Sequence, residues 1–439
     1  MSNPILQSAQ SSAVVATLRE SDTVNPFVYN EKGRIVSPHS MSLLKITKSS
    51  GTVGASKTCS FDISKNGLLT GLYLQMDMPS ANLTDANTTD NNTGETAGND
   101  TVLDTANTQG FLALGILSCI DNMVLQTSGR QLERLSRYQI LARYSALPAS
   151  KKVAVQESLR MAQKNDDDSK YTVCMWLPFY FFRESEKYHY NTSFNEPLRL
   201  DITLGDCKIL QTAALSGGAL TAHAPEDITC VAQYRQLDAR DEDALVNAQY
   251  GDGLLSQCVS IMKEEAVHTF NANGGANHTS SVTVPLDLKE NPCVSRMYIM
   301  ITSPVGAADT DAYAKSLHVR EVPMEIENIK LTASGVSIVD CHGDLIKYFG
   351  KWGESDSSNV SHGNGERAFE NVYCIDFTTT GHGHTNTVAF RELSTPRLEL
   401  TFTSRHVTSK SHELRVIYET TTFISTSSAT GRVQLSISS

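Results

Sequence analysis

The sequence predicts an all-β protein built from two homologous β domains in tandem, and three observations carry that prediction. The stretch IDNMVLQTSG at residues 120–129 is written again as IENIKLTASG at 326–335, with five of ten positions identical. Its neighbours repeat in the same order. SFDISKNGLLTGLYLQM (60–76) lies over TVPLDLKENPCVSRMYIMI (283–301), and FNEPLRLDIT (194–203) lies over FRELSTPRLELT (390–401). The offset between the copies shrinks along the chain, as it does for two copies with loops of unequal length, and it is far longer than the roughly 20 to 50 residues of a solenoid unit. Within each copy the alternating apolar positions suit a half-buried strand, and the terminal small polar residue and glycine suit a tight turn.

With 439 residues, a division into two domains of about 200 is expected, each large enough to bury a core. The chain then reads as an N-terminal arm (1–50), a first β domain (51–241) and a second (242–439). The arm has no counterpart in the second copy. It mixes a short helix candidate (Asn3 as cap, Pro4 in the first turn, apolar positions from Leu6 to Leu18) with extended polar chain. A polar excursion, ANLTDANTTDNNTGETAGND (81–100), follows the second strand and reads as a solvated loop. After the central strand come two helical stretches split at Pro148. One is ERLSRYQILARY (133–144), with Leu135, Tyr138 and Leu141 on one face; the other is KKVAVQESLRMAQK (151–164), with Val155, Leu159 and Ala162. A last strand over 228–237 runs into an acidic helical linker that places the boundary near Asp241. In the second copy strands are expected at 293–302, 325–333, 371–378, 397–402 and 413–425.

The totals exclude several function classes. A net charge of −11 argues against wrapping nucleic acid, because displacing phosphate counterions needs a cationic surface. Nine cysteines (Cys59, Cys119, Cys174, Cys207, Cys230, Cys258, Cys293, Cys341 and Cys374) occur singly, with no C-x-x-C pair, and read as reduced core residues. The N-terminus lacks a basic segment followed by a continuous apolar one, so no secretory signal is expected. The longest apolar runs, GFLALGILSCI and CMWLPFYFF, are too short to span a bilayer.

Catalytic and metal signatures are missing: there is no P-loop, no G-x-S-x-G and no H-E-x-x-H. His382 and His384 in GHGH could both face a cation, but a Gly-rich loop with exposed imidazoles is the simpler reading. The adjacent carboxylates Glu264 with Glu265, and Glu184 with Glu186, have no visible acid–base partner, so no catalytic, cofactor-binding or metal residue is assigned. Seven N-x-S/T sequons, at Asn82, Asn87, Asn91, Asn99, Asn191, Asn277 and Asn359, are read as marks of exposed loops. Between residues 130 and 164 eight Lys or Arg stand against two acidic residues, which reads either as a solvated helical face or as a patch for an acidic surface on a neighbouring subunit.

Several segments also carry a resemblance. IDNMVLQTSGRQLERL resembles the strand, turn and strand of the double jelly-roll major capsid proteins of large eukaryotic DNA viruses, virophages and polinton-like viruses. YTVCMWLPFYFF followed by LRLDITL is similar to that family's "LPFWF" segment and the strands after it, and ITCVAQYRQLDARDEDALV to the strand and helix that close the first barrel. YCIDFTTTGHGHTNTVAF and VIYETTTFISTSSATGRVQLSIS resemble its closing strands. The resemblance implies two eight-stranded jelly-roll β-sandwiches with short helices in their loops, standing side by side. It further implies no enzymatic activity and no cofactor. Three chains would form a pseudo-hexagonal capsomer of an icosahedral virion shell, and the partners would be other copies, minor capsid and penton proteins and an inner membrane, without sequence-specific nucleic-acid binding. Synthesis in the host cytoplasm or nucleus, without secretion, is the matching localisation. A carbohydrate-binding or attachment protein, or a two-domain jelly-roll glycan hydrolase, would share the sandwiches; the hydrolase would need convergent carboxylates and a secretory signal.

The Asn/Thr-rich loop should be dispensable for folding, since each doubling of loop length costs only about 0.6 kcal/mol. Replacing 81–100 with a short Gly/Ser bridge is expected to move the thermal midpoint by less than about 5 °C, as read by differential scanning calorimetry.

Overall fold

The computed structural model describes residues 39–78, 116–117, 119–147, 149–159, 171–182, 189–205, 207, 224–237, 254–271, 278–287, 293–302, 325–349, 372–377, 388–404, 411–427 and 431–436. Four antiparallel sheets make two sandwiches. In the first sandwich one sheet is ordered β1 (His39–Ile46), β10 (Asp227–Leu237), β4 (Leu68–Met78), β7 (Tyr171–Trp176), with β8 (Tyr190–Asn191) also on β4. The facing sheet is ordered β2 (Ser50–Gly51), β3 (Thr58–Ile63), β9 (Leu198–Leu204), β5 (Ile120–Thr127), β6 (Arg130–Ser136). The second sandwich repeats this plan. Its sheets run β11 (Leu254–Glu264), β19 (Ser411–Ser427), β14 (Val294–Thr302), β17 (Tyr373–Asp376), and β13 (His278–Pro285), β18 (Arg397–Ser404), β15 (Ile326–Ala333), β16 (Val336–His342). Two further short strands, β12 (His268–Asn271) and β20 (Val433–Ser436), pair with β19. Apart from the short strands β2, β8, β12 and β20, the two strand orders are the same, and each is the doubled Greek key of an eight-stranded jelly roll.

The repeat extends to hydrogen-bond register. β5 and β6 join through Ser128 and Gly129, β15 and β16 through Ser334 and Gly335, and all four turn residues have positive φ, between 44° and 78°. Such a two-residue turn matches the right-handed twist of its strands. The hairpins slip register at equivalent places, between Leu125 and Gln126 and between Leu331 and Thr332. Each central strand also bulges against its other neighbour, after Ile120 and after Ile326. Bulges bend a strand and fix its pairing, so their recurrence shows that both copies close their sandwiches in the same way.

Side chains alternate as the pleat requires. In the first sandwich Ile120, Met123 and Leu125 meet Phe61, Leu200, Ile202, Leu74 and Met76 in the core, and all are fully buried. In the second, Ile329, Leu331, Leu398, Leu400, Met297 and Ile299 do the same. Following each hairpin is a helix, α1 (Arg137–Ser145) in the first copy, then α2 (Ala149–Leu159), and α3 (Gly343–Phe349) in the second. Ser136 caps α1 in a capping box with Gln139. Among the described residues no helix is long and apolar enough to cross a membrane.

Four sequence expectations are corrected. Residues 39–46, assigned to the arm, form β1, an edge strand of the first sandwich that pairs along β10 as β11 pairs along β19. HSMSLLKI carries apolar residues on both faces and shares little identity with β11, so neither periodicity nor repeat exposed it. The helix expected from Glu133 starts at Arg137 instead, because 130–136 is held as a strand by β5. Cys174 is exposed, and Cys293 and Cys341 are half-buried rather than core. Asn191 is buried, its side-chain oxygen accepting the backbone N–H groups of Ser193 and Phe194, so that sequon marks a structural turn and not an exposed loop. The helix expected in 6–18, the loop 81–100, the boundary near 241 and the other six sequons lie outside the described residues.

The side chains of eight of the nine cysteines are described, and all eight are thiols outside any disulfide. Burial pushes the Cys59 thiol up to about 11 and that of Cys230 to about 12, so both stay protonated and shielded near neutrality. Timed alkylation of the native protein at pH 8, mapped by peptide mass spectrometry, should label Cys174 first among the described thiols and leave Cys59 and Cys230 unlabelled until the chain is unfolded.

Candidate functional site

A dense group of charged and polar contacts lies where the two sandwiches meet. β6, α1 and the single helical turn at Tyr180–Phe182 belong to the first sandwich and pack against β11 of the second. At the centre Glu133 on β6 and Arg143 on α1 form an ion pair, Nη2 to Oε1 2.7 Å, with their side chains 0% and 6% exposed. Neither charge is left with its partner alone. The Glu133 carboxylate also accepts the backbone N–H of Tyr180 at 2.7 Å and, across the seam, that of Met262 at 3.4 Å. Arg143 donates to the carbonyl of Pro178 and, across the seam, to that of Ser260 at 3.0 Å. Burial raises the Glu133 carboxyl above its usual range, and Arg143 with the two backbone N–H groups pulls in the opposite direction. A buried pair costs least when its remaining donors and acceptors are satisfied, and here backbone from both sandwiches meets both carboxylate oxygens and both terminal guanidinium nitrogens, leaving only Arg143 Nε without a partner.

Around this centre the seam is knitted at three more points. Arg415 on β19 lies over the ring of Tyr138 on α1, 3.7 Å from its centroid, and pairs with Glu264 at 2.7 Å. Ser136, the cap of α1, donates its hydroxyl to the other Glu264 oxygen at 3.1 Å. Arg130 donates to the carbonyl of Val433 on β20 at 2.7 Å, while the Glu196 N–H bonds the Gly431 carbonyl at 3.0 Å. Gly431 has φ of 64°, and any Cβ there would strike the carbonyl of Phe194. Beneath these polar contacts the buried apolar cluster of the first sandwich continues without a break onto Val259, Met262, Tyr298, Met300 and Ile417 of the second. β14 is consequently buried on both faces. A cleft of about 700 Å³ opens along the seam between β6 and β11.

Of the residues singled out in the sequence, Glu264 is committed to Arg415 and Ser136. Glu265 accepts the Asp287 N–H at 2.7 Å and the Tyr418 hydroxyl at 3.1 Å, and burial pushes its carboxyl upward while these donors pull back. Both therefore act as structural acceptors. His382, His384, Glu184 and Glu186 lie outside the described residues, and among the described residues no group of three or more His, Cys, Asp or Glu could hold a metal ion. The basic stretch 130–164 is neither purely a solvated face nor purely a patch for another subunit, since Arg130 and Arg143 are spent inside the chain and Lys152 is buried. Glu133 and Arg143 were not singled out from sequence. The stretch LERLSRYQILARY carries four charged residues, Glu133, Arg134, Arg137 and Arg143, among its apolar ones, and nothing in its pattern marks Glu133 and Arg143 as the buried two.

No protein-family model and no curated protein matches the sequence. Solved structures do match. VP54 of the virus PBCV-1, fitted into a reconstruction of the virophage Sputnik, aligns over 94% of this chain and 99% of its own, at 11% identity and a TM-score of 0.65. The Faustovirus major capsid protein covers 90% and 92% of the two chains at 9% identity with a TM-score of 0.59, and the mavirus major capsid protein covers 93% of each at 9% identity with a TM-score of 0.53. The chain has the double jelly-roll fold of viral major capsid proteins. In this double jelly roll the seam joins the two halves into one body.

Removing one member of the central pair should be far more damaging than removing both. Glu133→Gln leaves Arg143 buried without a counter-charge, and a loss of about 3–5 kcal/mol is expected in urea unfolding at fixed protein concentration. The double variant Glu133→Leu with Arg143→Met should lose less than Glu133→Gln alone.

Proposed function

We propose that this double jelly roll is the structural subunit of a viral capsid, a major capsid protein that associates in threes and tiles a closed shell. The observation that carries the reading is the joining of two equivalent sandwiches in one chain through a buried seam, in a fold shared along nearly its whole length with major capsid proteins. Two similar wedges per chain and three chains per ring give six near-equivalent outer edges, the arrangement that packs hexagonally. Glu264 is held by Arg415 and, across the seam, by Ser136, and Glu265 by Asp287 and Tyr418 within the second sandwich, which favours a structural role over a glycan hydrolase. On this reading the chain resides in the virion shell, its first partner is another copy of itself, and contacts with minor capsid and penton proteins, or with an inner membrane, follow from its place in the shell. The segment ahead of β1 would serve as an arm to those neighbours.

Light scattering at micromolar concentration should report three times the chain mass, and the species should survive dilution, because an obligate interface buries about 2,000 Å² or more. A monomer under these conditions would remove the basis for the capsid reading.

A further inference from the structure

The large apolar side chains left exposed are not scattered. Met41, Leu43 and Leu44 lie on β1, Val336 and Ile338 on β16, Leu345 on α3, and only Val267 lies elsewhere among the described residues. These are the second set of the elements that make the seam. β6 and α1 of the first jelly roll have β16 and α3 as their equivalents in the second, while β11 of the second has β1 as its equivalent in the first.

The match holds residue by residue. Tyr73 stands opposite Val231 as Tyr298 stands opposite Ile417, and Val231 and Ile417 in turn face Lys45 and Glu264. Counting back along each strand places Leu43 at the position of Met262 and Met41 at that of Ser260. Those are the two β11 residues that Glu133 and Arg143 grip across the seam. Ser260 and Met262 are 5% and 4% exposed, whereas Met41 and Leu43 are 55% and 58% exposed. On the other side, the paired registers of the two hairpins place Ile338 at the position of Leu132, and the two helices that follow place Leu345 at that of Gln139. Leu132 is 2% exposed and covered by the seam, and Ile338 is 38% exposed. The positions of Glu133 and Arg143 are taken by Val339 and Phe349, so the charged centre is replaced by apolar residues.

We propose that Val336 and Ile338 on β16 and Leu345 on α3 of one copy cover Met41 and Leu43 on β1 of the next, in the geometry that joins the two jelly rolls within a chain. The copy-to-copy seam is apolar where the within-chain seam is centred on an ion pair. This inference rests on the capsid reading and adds to it a specific pair of faces, a head-to-tail direction and a chemistry. A head-to-tail contact either closes into a ring or polymerises, and closure after three copies is what the capsid reading requires. An apolar chemistry suits such a contact, since exposed apolar edges are tolerable on a chain that buries them on assembly, and their meeting is largely indifferent to salt.

The test uses the full-length chain with Leu43→Asp and, separately, Ile338→Asp, measured by light scattering with circular dichroism as the folding control. Both side chains are exposed in the single chain, so both variants are expected to keep the wild-type spectrum and to fall to one third of the wild-type mass. Mixing the two should then give a dimer, because one intact β16 edge and one intact β1 edge remain. Wild-type trimers should persist in about 1 M NaCl, where the screening length is only about 3 Å. A wild-type trimer that survives either substitution, variants whose mixture stays monomeric at the highest soluble concentration, or a trimer that salt dissociates would each overturn the proposed seam while leaving the capsid reading in place. A monomeric wild type would overturn both.

Discussion

The structure depends on a single buried contact, the ion pair of Glu133 and Arg143 closed by backbone groups from both sandwiches. Each jelly roll has its own sheets and its own alternating core, and nothing in either one dictates how the two should stand. The pair does, because two of its four hydrogen bonds to backbone form only when β11 presents the Met262 N–H and the Ser260 carbonyl at the right height. An apolar seam alone would tolerate sliding, whereas a desolvated charge pair tolerates very little. The continuous apolar cluster beneath it supplies the bulk of the stabilisation, and the pair supplies the register.

This division of labour clarifies what was legible in the sequence. Tandem β domains and the twin hairpins could be read from residues 120–129 and 326–335, because a tight turn with two positive φ angles constrains residue type strongly enough to survive divergence. β1 could not be read, since an edge strand that pairs on one side and leaves Met41 and Leu43 exposed shows no clean alternation. The helix expected from Glu133 was too early for a related reason: LERLSRY suits both periodicities, and only pairing with β5 decides for strand up to Ser136. The seam was illegible as a site because its two key charges sit ten residues apart on different elements, and their partners across it are backbone groups with no sequence signature.

Identity of 9–11% to proteins of the same fold, spread over almost the entire chain, follows from the same physics. A jelly roll asks for alternation, turn residues and bulges at set places, and many sequences meet those demands. Here the two joints differ in chemistry, one charged and enclosed within the chain, the other apolar and open at its edges. The charged joint forms once, during folding, where its desolvation is offset by the burial around it. The open edges are suited to meeting another copy in water.

The central claim is that one chain is a rigid pair of jelly rolls shaped to close with two others. Single-particle electron microscopy of the purified protein tests it most directly. The account predicts threefold particles with a six-lobed outline, in which the lobes within a chain and between chains meet in the same way. Isolated two-lobed particles, or lobes that vary in their relative angle within a chain, would contradict it.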